Sequence, residues 1–392
     1  MTPAARVQSA IELLDRVIEA ARTQGAPADR ILADWFKAHR FAGSKDRRAI
    51  REHVYAAIRA CGPVPHNGRA AMLRLAEADA ALAVLFDGSG YGPVGRDLEE
   101  PVAEAGVAPA WIAERLARSG IAGKEAQALL ERAPLDLRVN TLKAERSTLT
   151  LPVEAAPTDA PNGLRIASGT PVEKWDAWRD GLIEVQDTGS QLACLAVGAR
   201  PGETVVDLCA GGGGKTLALA AAMTNQGRLI AADTDRQRLS RLAPRADRAG
   251  ATMIQRRLLN PGREIEALGD LVAGADAVLV DAPCSGTGTW RRNPEARWRL
   301  TPEGLGRLVA TQANLLELAV PLLRPGGRII YVVCSLLDEE GAGQVANLLA
   351  RHPQLTVGSF SLPLGEPRGQ GMRLTPFRDG TDGFFIACAT TA

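Results

Sequence analysis

Short apolar runs rich in β-branched residues recur along the second half of this chain, at Val205–Leu208, Arg228–Ala232, Ala277–Val280, Arg328–Val333 and Phe384–Cys388. Between them lie patterns of helical period, notably Lys215–Met223, Arg236–Arg248 and Leu305–Leu323. Continuous apolar runs suit strands covered on both faces, and this alternation predicts an α/β fold with a mostly parallel, doubly wound sheet. Ligands of such sheets bind outside the carboxyl ends of the strands, so the residues just past each run carry the information. The first run opens into Cys209-Ala-Gly-Gly-Gly-Gly-Lys-Thr216, the third into Asp281-Ala-Pro-Cys284-Ser-Gly286, the fourth into Cys334-Ser335.

The first 132 residues have a different texture and read as helices. Val7, Ile11, Leu14, Val17 and Ile18 recur at helical spacing, and Ile50, Val54, Tyr55 and Ile58 share one face of a helix with Ser44 as its expected N-cap. The polar face of that helix, with Lys37 and Arg40, carries Lys45, Arg47, Arg48 and Arg51 against only Asp46 and Glu52. This is either a solvated helix face or a phosphate-contacting patch, and charge alone does not choose. Residues 133–180 contain one strand-like run and a stretch rich in Pro, Ala and Thr, which predicts a small connecting subdomain before the α/β domain at 181–392. A net charge of +1 provides no global field for nucleic acid, so any basic surface is local. The six cysteines form no CxxC pair and only four histidines accompany them, which argues against a zinc site and suits a reducing cytosol. No apolar run is long enough for a bilayer and the chain starts as a charged amphipathic helix, so a cytoplasmic protein without a membrane partner is expected.

The glycine loop fails both common nucleotide fingerprints. A P-loop needs glycine where Cys209 stands, and a Rossmann pattern begun at Gly211 needs one where Thr216 stands. What survives is a loop that brings backbone close to a ligand at a helix start, with an acid, Asp233, ending the next strand about 20 residues on, the placement for binding ribose hydroxyls. Asp233 could instead cap the following helix. The loop, this acid and the later Asp-Ala-Pro-Cys together suggest S-adenosylmethionine as cofactor. Lys215 either starts a helix or faces a substrate.

Cys61, Cys194 and Cys388 read as packing residues. Cys284 and Cys334 differ, because successive strands would bring both to one rim of the sheet. Methylation of a pyrimidine at C5 could use such a pair. C5 of cytosine is a poor nucleophile until a thiolate adds to C6, and a second acid–base group helps to resolve the adduct. Asp281 could hydrogen-bond the N3/N4 edge of the ring. Chemistry leaves open which thiol attacks.

At this point the residues resemble the RsmB/Nop2/Sun-type RNA cytosine-C5 methyltransferases, in particular the bacterial RsmB-like branch. The likeness runs through Arg132-Ala-Pro-Leu-Asp-Leu-Arg-Val-Asn-Thr-Leu-Lys143, Val185-Gln-Asp-Thr-Gly-Ser-Gln191, the glycine loop, Asp281-Ala-Pro-Cys284, Val333-Cys-Ser335 and Asp382-Gly-Phe-Phe385. It implies a class I Rossmann-like methyltransferase domain with a seven-stranded sheet, preceded by an all-α NusB-like RNA-binding domain. It further implies Cys334 as nucleophile, Cys284 as the thiol that assists product release, and Cys209, Ala210, Gly211, Gly212, Gly213, Gly214 and Lys215 as the cofactor loop. Asp233 would hold the ribose, Asp281 would serve cofactor and target base, and Arg138 and Asn140 would lie near RNA. The resemblance also makes the basic helix around Lys45, Arg47 and Arg48 an RNA contact.

This chain departs from the family pattern in three places. Gly212 replaces a usual proline. The region after strand three reads Gln255-Arg-Arg-Leu-Leu-Asn260, where Asn260 stands in for the usual aspartate near the adenine. The segment 144–165 is short. Trp290-Arg-Arg-Asn-Pro-Glu-Ala-Arg-Trp-Arg299 reads as a second basic patch, with Arg291 and Arg292 on phosphates and the tryptophans either stacking on bases or packing under a loop. The expected substrate is RNA, 16S ribosomal RNA by domain order, naked or in a partly assembled small subunit, acted on by a monomer. The alternatives are tRNA or another RNA as substrate, or a non-catalytic RNA-binding assembly factor.

Overall fold

The structure, a computed structural model, describes residues 1–97 and 99–392. They form two compact units, Met1–Glu131 with Thr289–Thr301, and Arg132–Gly288 with Pro302–Ala392. In the first, helices α1 (Pro3–Arg22), α2 (Ala28–Ala38), α3 (Ser44–Ala60) and α4 (Gly68–Ala76) bury Val7, Leu14, Leu32, Ile50, Ile58 and Met72 together. Thr2 caps α1 by accepting from the Ala5 N–H, and Pro3 occupies the first turn, where its missing donor costs nothing. Ser44 does not cap α3. It is the first helical residue, and the Asp46 carboxylate reaches back to the Gly43 N–H at 3.2 Å.

The segment 289–301 corrects the sequence reading most. Arg291, Arg297 and both tryptophans are buried instead of facing RNA: Trp290 and Arg297 are fully buried, and Arg291 and Trp298 are 4% exposed. The fully buried Arg297 guanidinium donates to the carbonyls of Ile58 and Cys61 at the end of α3, both at 2.6 Å; the Ile58 carbonyl also takes the Cys61 N–H at 3.3 Å. Glu295 accepts from the Ala28 N–H at 3.1 Å at the start of α2, where a negative charge meets the positive end of the helix. Trp298 donates to the Gly62 carbonyl at 3.1 Å. Burial pushes the Arg297 guanidinium down to about 9, because its neighbours are carbonyl dipoles more than countercharges. Arg297→Met is expected to leave the Cys61 carbonyl without this donor and Ile58 with the Cys61 N–H alone, at about 1–3 kcal/mol for the carbonyl left unsatisfied, and to lower the urea midpoint of the full chain accordingly.

The second unit holds two sheets. The small one is antiparallel, in the order β2 (Ala156–Pro157), β3 (Gly163–Ile166), β1 (Leu135–Val139), β4 (Ile183–Val185), and so runs past residue 180. Asp136 anchors it: its buried carboxylate takes Nε and Nη2 of Arg165 at 2.7 and 2.9 Å and the Thr188 hydroxyl at 2.7 Å. Burial alone would raise the Asp136 carboxyl, but these donors hold it below the ordinary value.

The large sheet comprises β5 (Thr204–Asp207), β6 (Arg228–Asp233), β7 (Ile254–Leu258), β8 (Ala275–Asp281), β9 (Leu323–Val333), β10 (Leu355–Val357), β11 (Glu366–Arg368), β12 (Gly371–Leu374) and β13 (Phe384–Thr391). Its order is β11-β12-β13-β9-β8-β5-β6-β7, with β10 paired to β13. The five strands from β9 to β7 are parallel and the rest are antiparallel, so the sheet is mixed and nine-stranded, not seven-stranded. The added strands β10, β11 and β12 are three or four residues long and lack the buried apolar pattern that marks the central ones. Helices and apolar side chains cover the central strands on both faces. The expected helix at 236–248 is broken into Arg236–Ser240 and Leu242–Ala249, with Pro244 in the first turn of the second piece, where a proline is tolerated. Among the described residues no helix is long and apolar enough to cross a membrane.

Candidate active site

Parallel pairing sets Asp281 beside Val332, the last positions where β8 and β9 are in register. The chain beyond both strand ends then delivers Cys284 and Cys334 to one place, with Sγ atoms 3.3 Å apart and both thiols free. The two loops are joined by backbone as well. Gly288 donates to the Cys334 carbonyl at 3.0 Å, and Gly383, from the Asp382-Gly-Phe-Phe385 motif, donates to the Gly288 carbonyl at 2.8 Å. A Cβ on Gly288 would lie 2.1 Å from the Gly383 oxygen, so only glycine permits this approach. The hydrogen bond to Cys334, then burial, raise the Cys284 thiol well above the ordinary range, so it is held protonated.

Lys215 lies on the first turn of the helix Gly214–Ala222 and pairs with Asp281, Nζ to Oδ2 at 2.7 Å. Burial works against its charge, but the Asp281 carboxylate more than offsets that, and Lys215 remains cationic. Its ammonium also lies 5.6 Å from the centre of the Phe384 ring. The helix-start reading of Lys215 therefore holds, and its ammonium is turned to Asp281 at the strand-end rim.

The glycine loop turns through Gly213 in the left-handed region (φ 85°), where a Cβ would collide with Leu242. It is held from two sides. The Gly211 N–H donates to Oδ2 of Asp233 at 2.7 Å, and Arg245 donates to the Gly212 carbonyl at 2.5 Å while its other nitrogen reaches Glu184 at 2.8 Å. Asp233 does not cap the next helix; Asp235 does, accepting from the N–H groups of Gln237 and Arg238. A loop with helix-start amides, open space beside Gly214 and a carboxylate at the end of β6 fits an adenosyl cofactor carrying ribose hydroxyls and a charged methionine part. Asn260 stands exposed just past the end of β7, the strand paired with β6. Cys209, at the head of the loop, has its thiol pushed up by burial and by the Asp207, Asp281 and Asp233 carboxylates. Cys194 is likewise raised by burial, to about 11.

Two of the expected RNA contacts are internal instead. Arg138 is 4% exposed and donates to the Gln186 side chain at 2.6 Å; Asn140 is 2% exposed and donates to the Gly181 and Ala249 carbonyls, both at 2.8 Å. Both shape the small sheet and its junction with the helix Leu242–Ala249. On α3, Lys45 and Arg48 are exposed, while Arg47 is half-buried, donates to the Ala42 carbonyl at 2.8 Å and lies over the Phe36 ring. Arg292 is half-buried. Sequence reasoning missed Glu184, Arg245 and the buried Glu340, which accepts from Ser285 and Ser335 beside the two thiols. Their spacing along the chain carries no local pattern. Glu340 follows the Val-Cys-Ser motif closely enough to have been tested as its partner.

Beneath the loop, Asp207 ends β5 with one oxygen on the Thr216 hydroxyl at 2.7 Å and the other buried without a protein partner. Burial raises its carboxyl to about 7. The folded pKa exceeds the unfolded one, so this stability contribution is complete below about pH 4 and is lost as pH rises through 7. Asp207→Asn is expected to flatten the stability profile between those limits, measured by urea denaturation at each pH.

The parallel strand order and the glycine loop at its carboxyl edge define a Rossmann-like S-adenosylmethionine-dependent methyltransferase fold. The crystal structure of PH0851 matches 99% of this chain and 99% of its own, with a TM-score of 0.78 at 26% identity. NSun6 from Pyrococcus horikoshii, solved with SFG, shares the fold over 71% of this chain and 97% of its own, at a TM-score of 0.63 and 20% identity. The family model of 16S rRNA methyltransferase RsmB/F matches residues 194–389. Ribosomal RNA small subunit methyltransferase B of Erwinia tasmaniensis is 35% identical over 288 residues, and that of Xylella fastidiosa strain 9a5c is 34% identical over 289. These alignments cover 71% of this chain in both cases, and 65% and 67% of the respective relatives. This chain belongs to the RsmB/F family, and spans about two thirds of the length of the curated relatives it matches.

Proposed function

We propose that this chain is an enzyme that methylates C5 of a cytosine in RNA, using S-adenosylmethionine, with 16S ribosomal RNA as its substrate. The observation that carries the reading is the pair of thiols 3.3 Å apart at adjacent strand ends, beside the Lys215–Asp281 ion pair. The names of the curated relatives support the choice of RNA. Family likeness assigns attack to Cys334, and the raised Cys284 thiol agrees with that order, since a Cys284 proton can stabilise the Cys334 thiolate.

In this mechanism the Cys334 sulfur adds to C6, and the C5–C6 π electrons make C5 enamine-like. Asp281 holds the N3/N4 edge of the ring as positive charge develops there. When bound, the cofactor would supply an electrophilic methyl on a sulfonium sulfur to C5, the electrons of the broken bond staying with that sulfur. The C5 proton must then leave, and the C5–H electrons re-form C5=C6 and expel the Cys334 thiolate. Once Cys334 is bonded to C6 it no longer presents the sulfur that holds the Cys284 proton up. Cys284 then releases its own proton to solvent more readily, and the resulting thiolate takes the C5 proton, which restores the thiol. Residues 209–215 and Asp233 hold the cofactor, with Asn260 near its adenine. The helical unit is a NusB-like RNA-binding domain presenting Lys45, Arg47 and Arg48, with Arg292 as a further phosphate contact and the small sheet as connector. We assign it to the cytoplasm as a monomer that meets naked RNA or a partly assembled small subunit.

The test mixes purified protein with ribosomal RNA lacking the modification and labelled S-adenosylmethionine. Cys334→Ala is expected to lose methyl transfer by about a thousandfold or more and to form no adduct, as loss of a covalent nucleophile does. Cys284→Ala is expected to trap a protein–RNA adduct that survives denaturation. An adduct with Cys334→Ala would reverse the two roles. Failure of wild type to bind cofactor or transfer methyl would remove the enzyme reading.

A further inference from the structure

One buried side chain touches the loops of both cysteines. Glu340, at 0% exposure, follows β9 in the turn before the helix Ala342–Arg351. Its Oε1 accepts from the Ser285 N–H at 2.8 Å and from the Gln312 side-chain amide at 2.9 Å. Its Oε2 accepts from the Ser335 hydroxyl at 2.5 Å and, closer still, from the Ser285 hydroxyl. Ser285 follows Cys284 and Ser335 follows Cys334, so one carboxylate holds the residue next to each thiol. The same Gln312 nitrogen donates to the Pro283 carbonyl at 3.0 Å, and the Tyr331 hydroxyl donates to the Glu340 carbonyl at 2.6 Å. Ser285 and Ser335 hydroxyls are 3.2 Å apart, and Thr287 joins Ser335 at 3.1 Å.

We infer that Glu340 is a positioning residue for the thiol pair, its carboxylate fixing the backbone after each cysteine so that the two sulfurs stay in contact. The arrangement is specific in its donors. All four are neutral, and among the described residues no cation pairs with Glu340. A buried carboxylate supplied by amides and hydroxyls keeps its field unneutralised, and that field acts on neighbours in a low-dielectric interior. An arginine partner would have anchored the loops equally well but would have cancelled the field. The electrostatic effect of Glu340 on Cys284 is to disfavour its thiolate, in the same direction as its hydrogen bond to Cys334. Among the other titratable groups acting at this place, Lys215 and Cys334 interact with each other, and Tyr331 interacts with Cys284 and Glu340. Asp281 is engaged by Lys215. Among the described residues, the negative charge of Glu340 is therefore the one uncompensated charge at the loop network, and it opposes ionisation of Cys284. Its consequence for turnover rests on the methyltransferase reading above; its consequence for the thiols does not.

The experiment separates the two by measuring the thiols without RNA. The full chain and Glu340→Gln are alkylated with iodoacetamide across pH 6–10, and labelling of Cys284 and Cys334 is followed separately by peptide mass spectrometry. Wild type is expected to label first at Cys334, with Cys284 protected. Glu340→Gln removes the charge and supplies a donor where four donors already converge. It is expected to bring the labelling of Cys284 to lower pH and to speed it about tenfold at pH 8, the equivalent of one pKa unit. A folded Glu340→Gln protein with unchanged rates and midpoints at both cysteines overturns the inference, whatever its methyl-transfer activity. If Glu340→Gln does not fold, Ser285→Ala and Ser335→Ala each remove one hydroxyl tether and leave the charge. Each is then expected to speed labelling of its neighbouring cysteine at an unshifted midpoint, and no change in either would equally overturn it. Loss of methyl transfer in wild type with the thiol results intact would sink the enzyme reading alone.

Discussion

Parallel pairing of β8 with β9 is the constraint on which the chemistry depends. Side chains in a parallel ladder stay level along its length, so two strands that end together deliver their following residues to the same height. Here that places one thiol after each strand, and the neighbouring β5 delivers the glycine loop to the same edge. A shift of register would move one thiol loop along the ladder relative to the other and unmatch the packed side chains on both faces, so the core that fixes the register also fixes the distance between the sulfurs. The antiparallel β13 continues the lock, because its preceding Gly383 packs against Gly288 behind the Cys284 loop.

Around this edge the unit arranges its buried charges in two distinct ways. Asp136 with Arg165, Glu184 with Arg245 and Arg248, and Lys215 with Asp281 are neutralised pairs that tie elements far apart in sequence. Such pairs add little net stability over apolar packing, but losing one partner leaves a buried charge uncompensated. Glu340 and Asp207 are of the other kind, satisfied by neutral donors or only partly satisfied. Pairs of the first kind hold backbone in place. Groups of the second kind project a field, and both of them lie at or just below the rim where ligand chemistry would take place.

The central strands, the glycine loop and the two rim thiols were legible because each combines an apolar run with a chemically unusual ending. Asp233 was legible for the same reason, and its choice between ligand and cap was not, because Asp235 lies two residues on and either could cap until the fold sets Asp235 on the helix amides. Short antiparallel strands such as β11 escaped because a few polar residues have no period to detect. Arg138 and Asn140 lie in a motif whose spacing suited RNA contact equally well, yet their hydrogen bonds are spent internally. The basic aromatic segment was misread because composition does not distinguish an arginine that seeks phosphate from one that seeks the carbonyls at a helix end. Arg297 does the latter.

That same segment makes the two units topologically inseparable by a single cut. The chain passes from one unit to the other at residues 131–132, returns at 288–289, and leaves again at 301–302. The helical unit is thus an insertion into the α/β unit as well as an N-terminal addition: part of its interior is encoded between the thiol loop and the following helix. A gene that lost its first 131 codons would still carry two core tryptophans and a core arginine with nothing to cover them. Recombination that moved the α/β unit alone would carry the same orphaned piece. The arrangement binds the evolutionary fate of the helices to that of the chemistry, in a way that a linker between two consecutive domains never could.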